Sequence, residues 1–174
     1  MCYLVRVIYY LFFCGDIMNI QKLMQDDTMD FSDIPSGYFL VGLLSAFENR
    51  FQAMADKAIG EISWKQFFAI VCINRCKEAP TLKELSDIMG SSHQNVKQIL
   101  NKLESKGFIR FEADAIDKRK QRIVLTDECR AFCAHNDEKS SNIMGRMFAD
   151  ISEGELKTTI QTIMKIENNM KGLM

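Results

Sequence analysis

The chain has 174 residues, 47% hydrophobic and 26% charged, with a formal net charge of −1. That balance fits one compact folded domain and excludes a disordered or fibrous chain as well as a pair of independent enzyme domains. Only two prolines interrupt it, Pro35 and Pro80, so long runs of Leu, Met, Lys, Glu and Gln are free to form helix. The six cysteines, in a chain this long and poor in loops, are expected as reduced thiols of a cytoplasmic protein, not as a disulfide framework.

In chain order, residues 1–35 read as an N-terminal extension. Met1–Cys14 is apolar, but Arg6 interrupts it and it falls short of the roughly 20 residues a membrane span needs, so no membrane anchor is expected. Met18 offers an alternative start that would make the leading segment a gene-model extension; the other reading is an extra apolar helix covering a dimer. From Ser36 to Ile59, Phe39, Leu40, Leu43, Leu44, Phe47, Phe51 and Met54 recur at helical spacing, which predicts a long amphipathic helix ending at Gly60. Ser63 is placed to cap a second helix, Trp64 to about Asn74.

Pro80-Thr81 opens a short helix with Leu82, Leu85, Ile88 and Met89 inward. Gly90 can take the left-handed conformation that ends it. Ser91 or Ser92 caps the next helix, which buries Val96, Ile99, Leu100 and Leu103 and stops at Gly107. Two short helices across a Gly-Ser-Ser turn form a helix-turn-helix. Phe108–Glu112 and Gln121–Leu125 then read as strands flanking a polar loop, a β-hairpin wing. A helix follows from Asp127 to about Phe148. Ser152 and Glu155 form a capping-box pattern for a last helix, Leu156 to about Lys171, striped by Leu156, Ile160, Ile163, Met164, Ile166 and Met170.

The fold class expected is therefore mainly α with a small β-hairpin wing. A winged helix-turn-helix over 61–126 lies between a dimerisation helix at 36–60 and C-terminal dimerisation helices at 127–174, because the terminal helices carry more apolar surface than one small module needs. Charge is unevenly spread. Residues 93–122 hold eight bases and four acids, a net +4 that leaves −5 for the remainder, and nucleic-acid binding depends on such a local patch.

Opposite the buried face of the second motif helix stand Gln94, Gln98 and Asn101, flanked by Asn95, Lys97 and Lys102, with Ser92 and His93 at its start. A major groove admits one helix. Gln and Asn can bond bidentately to adenine and Lys can reach phosphate or guanine, so this amide-rich face predicts an A·T-rich double-stranded DNA operator.

The segments LeuLysGluLeuSerAspIleMetGly, SerSerHisGlnAsnVal, LeuGluSerLysGlyPheIle and AspLysArg followed by IleValLeuThr occur in an order and spacing that resembles the MarR family over roughly residues 36–171. The resemblance implies a winged-helix transcription regulator whose wing carries an Asp-x-Arg motif at Asp117 and Arg119, beside Lys118 and Lys120. The arginine would enter a minor groove and the aspartate steady it; a narrow A-tract groove is electronegative enough to attract it. The resemblance further implies a homodimer with interlocked terminal helices, a pseudo-palindromic operator, and repression released by a small-molecule inducer or by thiol oxidation. The sequence departs from the family at Cys129, where a small residue or Gly is usual, and at Ala115, where Pro is usual.

Cys72/Cys76 and Cys129/Cys133 are each spaced four apart on a helix and can present two sulfurs to one oxidant or metal. Cysteine is also among the most buried residue types, which favours a packing role. His93 and His135 are too far apart to make a metal motif, and neither a metal nor a cofactor is expected. Phe67, Phe68, Met144, Met147 and Phe148 read as core or interface. With no P-loop, dinucleotide fingerprint, nucleophile elbow or HExxH pattern, the chain does not read as an enzyme. The alternative is a winged-helix protein-interaction module without DNA binding, which would not need both the amide face and the basic wing.

Overall fold

The computed structural model describes residues 30–31 and 34–173. The two readings of the leading segment before Met18 fall outside the described residues. Among those described the elements run α1 (Ser36–Ile59), α2 (Trp64–Arg75), α3 (Leu82–Met89), α4 (His93–Ser105), β1 (Ile109–Ala113), β2 (Gln121–Leu125), α5 (Asp127–Met147) and α6 (Glu153–Lys171). This is the winged helix-turn-helix that the hydrophobic pattern predicts.

Two element starts differ from the expectation for physical reasons. β1 starts at Ile109 and not at Phe108, because the Phe108 amide is used to close the end of α4, donating to Leu103 O at 3.0 Å. α6 starts three residues before Leu156. Ser152 is its N-cap and Glu155 its third helical residue, and each side chain accepts from the other residue's amide, at 3.3 Å and 2.8 Å.

The described residues divide into two compact units, with the boundary between Phe68 and Ala69. In the first, Ser63 and Gln66 cap α2 reciprocally: Ser63 Oγ accepts from the Gln66 amide at 3.3 Å and Gln66 Oε1 from the Ser63 amide at 2.9 Å. Trp64 meets Phe51 edge-on with ring centroids 4.7 Å apart and stacks on Phe68 at 6.0 Å. Along α1 only Ala55 is buried, while Tyr38, Val41 and Phe47 are more than half exposed.

In the second unit Ile70, Leu85, Val96, Leu100, Leu103, Ile109, Ile123 and Cys129 form the buried centre. The hairpin is antiparallel, with Ile109 opposite Leu125 and Phe111 opposite Ile123. The Ile123 amide donates to Pro80 O at 2.9 Å, tying the segment before α3 to β2. Thr126 Oγ1 accepts from the Cys129 amide at 3.2 Å as the cap of α5 and donates to Gly107 O at 2.7 Å, joining α5 to the end of α4. α6 has no buried residue. Its predicted stripe splits: Leu156, Ile163 and Ile166 are half-buried, whereas Ile160, Met164 and Met170 are exposed. Among the described residues no helix is long and apolar enough to cross a membrane.

Candidate nucleic-acid interface

The turn between α3 and α4 is built by local chemistry. Thr81 caps α3 in a box with Glu84, whose carboxylate accepts from the Thr81 amide at 2.7 Å. Hydrogen bonds from the Thr81 backbone and hydroxyl hold the Glu84 carboxyl below its usual range, with Arg122 adding to the effect. Gly90 ends α3 in the left-handed region at φ 59°, a conformation that a side chain at Cβ would disfavour. Ser92 then caps α4, its Oγ accepting from the Asn95 amide at 3.3 Å.

Val96, Ile99, Leu100 and Leu103 face the core of this unit, so the other side of α4 is turned outward. His93, Gln94, Asn95, Lys97, Gln98, Asn101 and Lys102 are all exposed there. Asn95 is partly committed, since its amide nitrogen donates to Ser91 Oγ at 2.8 Å and braces the turn. Gln94, Gln98 and Asn101 remain as the amide face, with donors and acceptors at successive helical turns.

The wing tip is ordered by two aspartates. Asp114 is buried and accepts from the amides of Ile116 at 2.9 Å and Asp117 at 2.8 Å. Together with the Arg122 guanidinium, whose Nε lies 2.5 Å away, the Asp117 amide foremost holds the Asp114 carboxyl well below the carboxylate range. Asp117 Oδ1 in turn accepts from both the amide and Nε of Arg119 at 3.2 Å. The Arg119 side chain is otherwise free, with 92% of it exposed at the tip, and Lys118 and Lys120 are exposed beside it.

Arg122 enters the +4 tally of the sequence as one cation among eight, but its position is different. Its Nη1 donates to Ala79 O at 3.0 Å and to Glu84 Oε2 at 3.2 Å, so it sits between two carboxylates and under the start of α3. Arg110 is likewise paired, with Glu112 Oε1 at 2.7 Å from its Nη2. Among the described residues Lys97, Lys102, Lys106 and Lys118 form no ion pair. A groove of about 1030 Å³ between α3, α4 and the hairpin collects His93, Lys97 and Asn101 on one side and Lys118, Arg119 and Lys120 on the other. Lys83 at the start of α3 and Gln121 on β2 also line it, two residues the periodicity did not single out. Gln94, Gln98 and Lys102 lie on the exposed face of α4 beyond that lining. The surface thus offers amide hydrogen bonds from a helix and unpaired cations from helix and wing, and these are the two ingredients of base contact and phosphate contact.

Among the described residues Cys72, Cys76, Cys129 and Cys133 are free thiols. Burial pushes the Cys72, Cys129 and Cys133 thiols up, Cys129 to about 12 with the neighbouring Cys133 contributing. Cys76 Sγ donates to Cys72 O at 3.2 Å. Among the described residues no group of three or more His, Cys, Asp and Glu could hold a metal ion.

The model of the MarR family matches residues 62–120. A MarR/EmrR family transcriptional regulator from Acinetobacter sp. ADP1 superposes with a TM-score of 0.71 at 16% identity, over 83% of this chain and 99% of that one. MepR of S. aureus, in its complex with DNA, gives a TM-score of 0.66 at 17% identity over 74% and 94%. Bordetella bronchiseptica BpsR, whose DNA binding is regulated by 6-hydroxynicotinic acid, gives 0.65 at 18% over 80% and 96%. The fold of these regulators is the fold of this chain.

Proposed function

We propose, from the match of the MarR family model to residues 62–120, that the chain is a cytoplasmic transcription regulator that binds double-stranded DNA sequence-specifically as a homodimer. The observation that carries this reading is the common surface of α4 and wing, where Gln94, Gln98 and Asn101 are exposed beside unpaired lysines and the projecting Arg119. α4 enters the major groove, its amides reading adenine edges, and Arg119 enters the adjacent minor groove. A similar protein, MepR, is in a complex with DNA. Among the described residues the apolar side chains left exposed on α1 and α6 support two copies joined through their terminal helices. Such a pair would set its two α4 helices on successive major grooves, roughly 34–36 Å apart, on an A·T-rich pseudo-palindrome.

The regulator acts as a repressor released by a small molecule. The regulation of BpsR by 6-hydroxynicotinic acid supports a ligand as the signal. The upward push of burial on the Cys72, Cys129 and Cys133 thiols weighs against oxidation, since the thiolate is the reactive form.

The experiment is a fluorescence-anisotropy titration against A·T-rich pseudo-palindromes upstream of the chain's own gene, with scrambled duplex as control and salt varied. Tight, salt-sensitive binding that prefers the pseudo-palindrome is expected. Equal, weak binding to both duplexes would favour a protein-interaction module instead.

A further inference from the structure

We infer that Arg122 is a positioning residue that locks the wing to the start of α3, so that Arg119 is presented to DNA only while the clamp from Asp114 through Arg122 to Glu84 is closed. The inference rests on the DNA-binding reading above. A two-stranded hairpin has little stability of its own in water, and its outer end has no apolar packing to orient it. Across residues 113–120 only Asp114 is buried, and Ile116 is 96% exposed. What holds the tip is a relay of polar contacts. Arg122 grips Ala79 O and Glu84 on the α3 side, residues 43 and 38 positions away in the chain, and Asp114 on the wing side. Asp114 fixes the backbone at Ile116 and Asp117, and Asp117 fixes Arg119.

The chemistry suits arginine and not lysine. A planar guanidinium donates from Nε and Nη1 in fixed directions toward separate acceptors, which one ammonium on a flexible stem cannot reproduce. Arg122 is also a poor candidate for phosphate contact. Its side chain is 25% exposed and faces two carboxylates, so it has no uncompensated charge to offer DNA.

The test is a double-mutant cycle on operator affinity, with Arg122→Met made in the wild-type and Arg119→Ala backgrounds and each titrated over a range of salt. Arg122→Met is expected to weaken wild-type binding about tenfold and to lower the slope of log affinity against log salt by about one, as Arg119→Ala does, because the Arg119 contact is lost when the clamp opens. In the Arg119→Ala background the same change is expected to cost less than twofold, since the arginine that the clamp presents is already gone. The base preference contributed by Gln98 is expected to survive. Losses that multiply across the two sites, or a salt slope that falls by about one further unit when Arg122→Met is added to Arg119→Ala, would overturn the inference alone. Equal binding of operator and scrambled duplex by the unsubstituted chain would overturn the DNA-binding reading and this inference together. Should Arg122→Met fail to fold in a thermal melt, Asp114→Asn takes its place. The amide oxygen can still accept from the Ile116 and Asp117 amides while the ion pair is lost. The same coupling to Arg119 is then expected, and affinity equal to wild type would overturn the clamp.

Discussion

Helix α4 and the wing share one groove, but different forces hold them there. α4 buries Val96, Ile99, Leu100 and Leu103 and satisfies its own backbone, so its position follows from apolar packing and a Ser92 cap. The wing tip buries one side chain, the carboxylate of Asp114, and is shaped by hydrogen bonds to it. Packing locates the helix and leaves its polar face exposed, whereas the wing uses part of its polar inventory to hold itself in place. Residues of similar chemistry therefore have different roles: Arg119 is a projecting cation and Arg122, three residues on, is an internal brace.

The comparison is broken most severely from the packed side. Leu103 has no exposed surface, and truncation to Ala is expected to remove about 2–5 kcal/mol of folding stability, read as a lowered urea midpoint. Ile116→Ala at the 96% exposed wing tip should change the same midpoint by no more than about 0.5 kcal/mol. A comparable loss at both sites would mean that the tip is packed after all.

At the DNA the order reverses. Arg119→Ala is expected to weaken operator binding by more than tenfold and to lower the salt slope by about one, with the urea midpoint unchanged. Equal binding by wild type and Arg119→Ala at matched salt would remove the wing from the mechanism. Gln98→Ala is expected to relax sequence preference by about 1–3 kcal/mol at one base step, measured as the ratio of affinities for operators differing at that step. Loss spread evenly over all sequences would mark Gln98 as a backbone contact instead.

The same division explains what the sequence disclosed. The course and caps of α3 and α4 were legible because their determinants are local: a helical apolar period, a Thr or Ser cap, a Gly that adopts φ 59°. The exception is Ile88, expected inward but 52% exposed, because the short helix buries only the face around Leu85 and Ser86. The wing's existence and the Asp117/Arg119 pair could be read from strand pattern and family resemblance. The brace could not, because Arg122 meets Ala79 and Glu84 across 43 and 38 residues, and nothing in a run of basic residues distinguishes the one that folds inward. A trace was present: Thr81 and Glu84 match the capping-box spacing, which places an acidic side chain at the start of α3. Likewise, the stripe of α6 was visible as a period, but its division into half-buried and exposed rows depends on neighbours that the sequence does not name.

The smallest effect concerns acid. Asp114 is held well below its ordinary value of 3.8 by the amide of Asp117, by Arg122 and by the amide of Ile116, and Glu84 is held below 4.5 mainly by Thr81. A carboxyl whose folded pKa is depressed binds fewer protons in the native state than in the unfolded one. Its contribution is complete above the unfolded value and is lost as pH falls toward the folded one. Asp114→Asn does not titrate. Its urea midpoint should therefore lie below wild type at about pH 7 and pH 5, and the gap should narrow as pH is taken below about 4. Ser92→Ala in the α4 cap, expected to cost about 1 kcal/mol, removes a group that does not ionise, so its gap should stay constant over the same range. A wild-type to Asp114→Asn gap that is also constant would show that Asp114 holds the wing by geometry alone and that its charge contributes nothing.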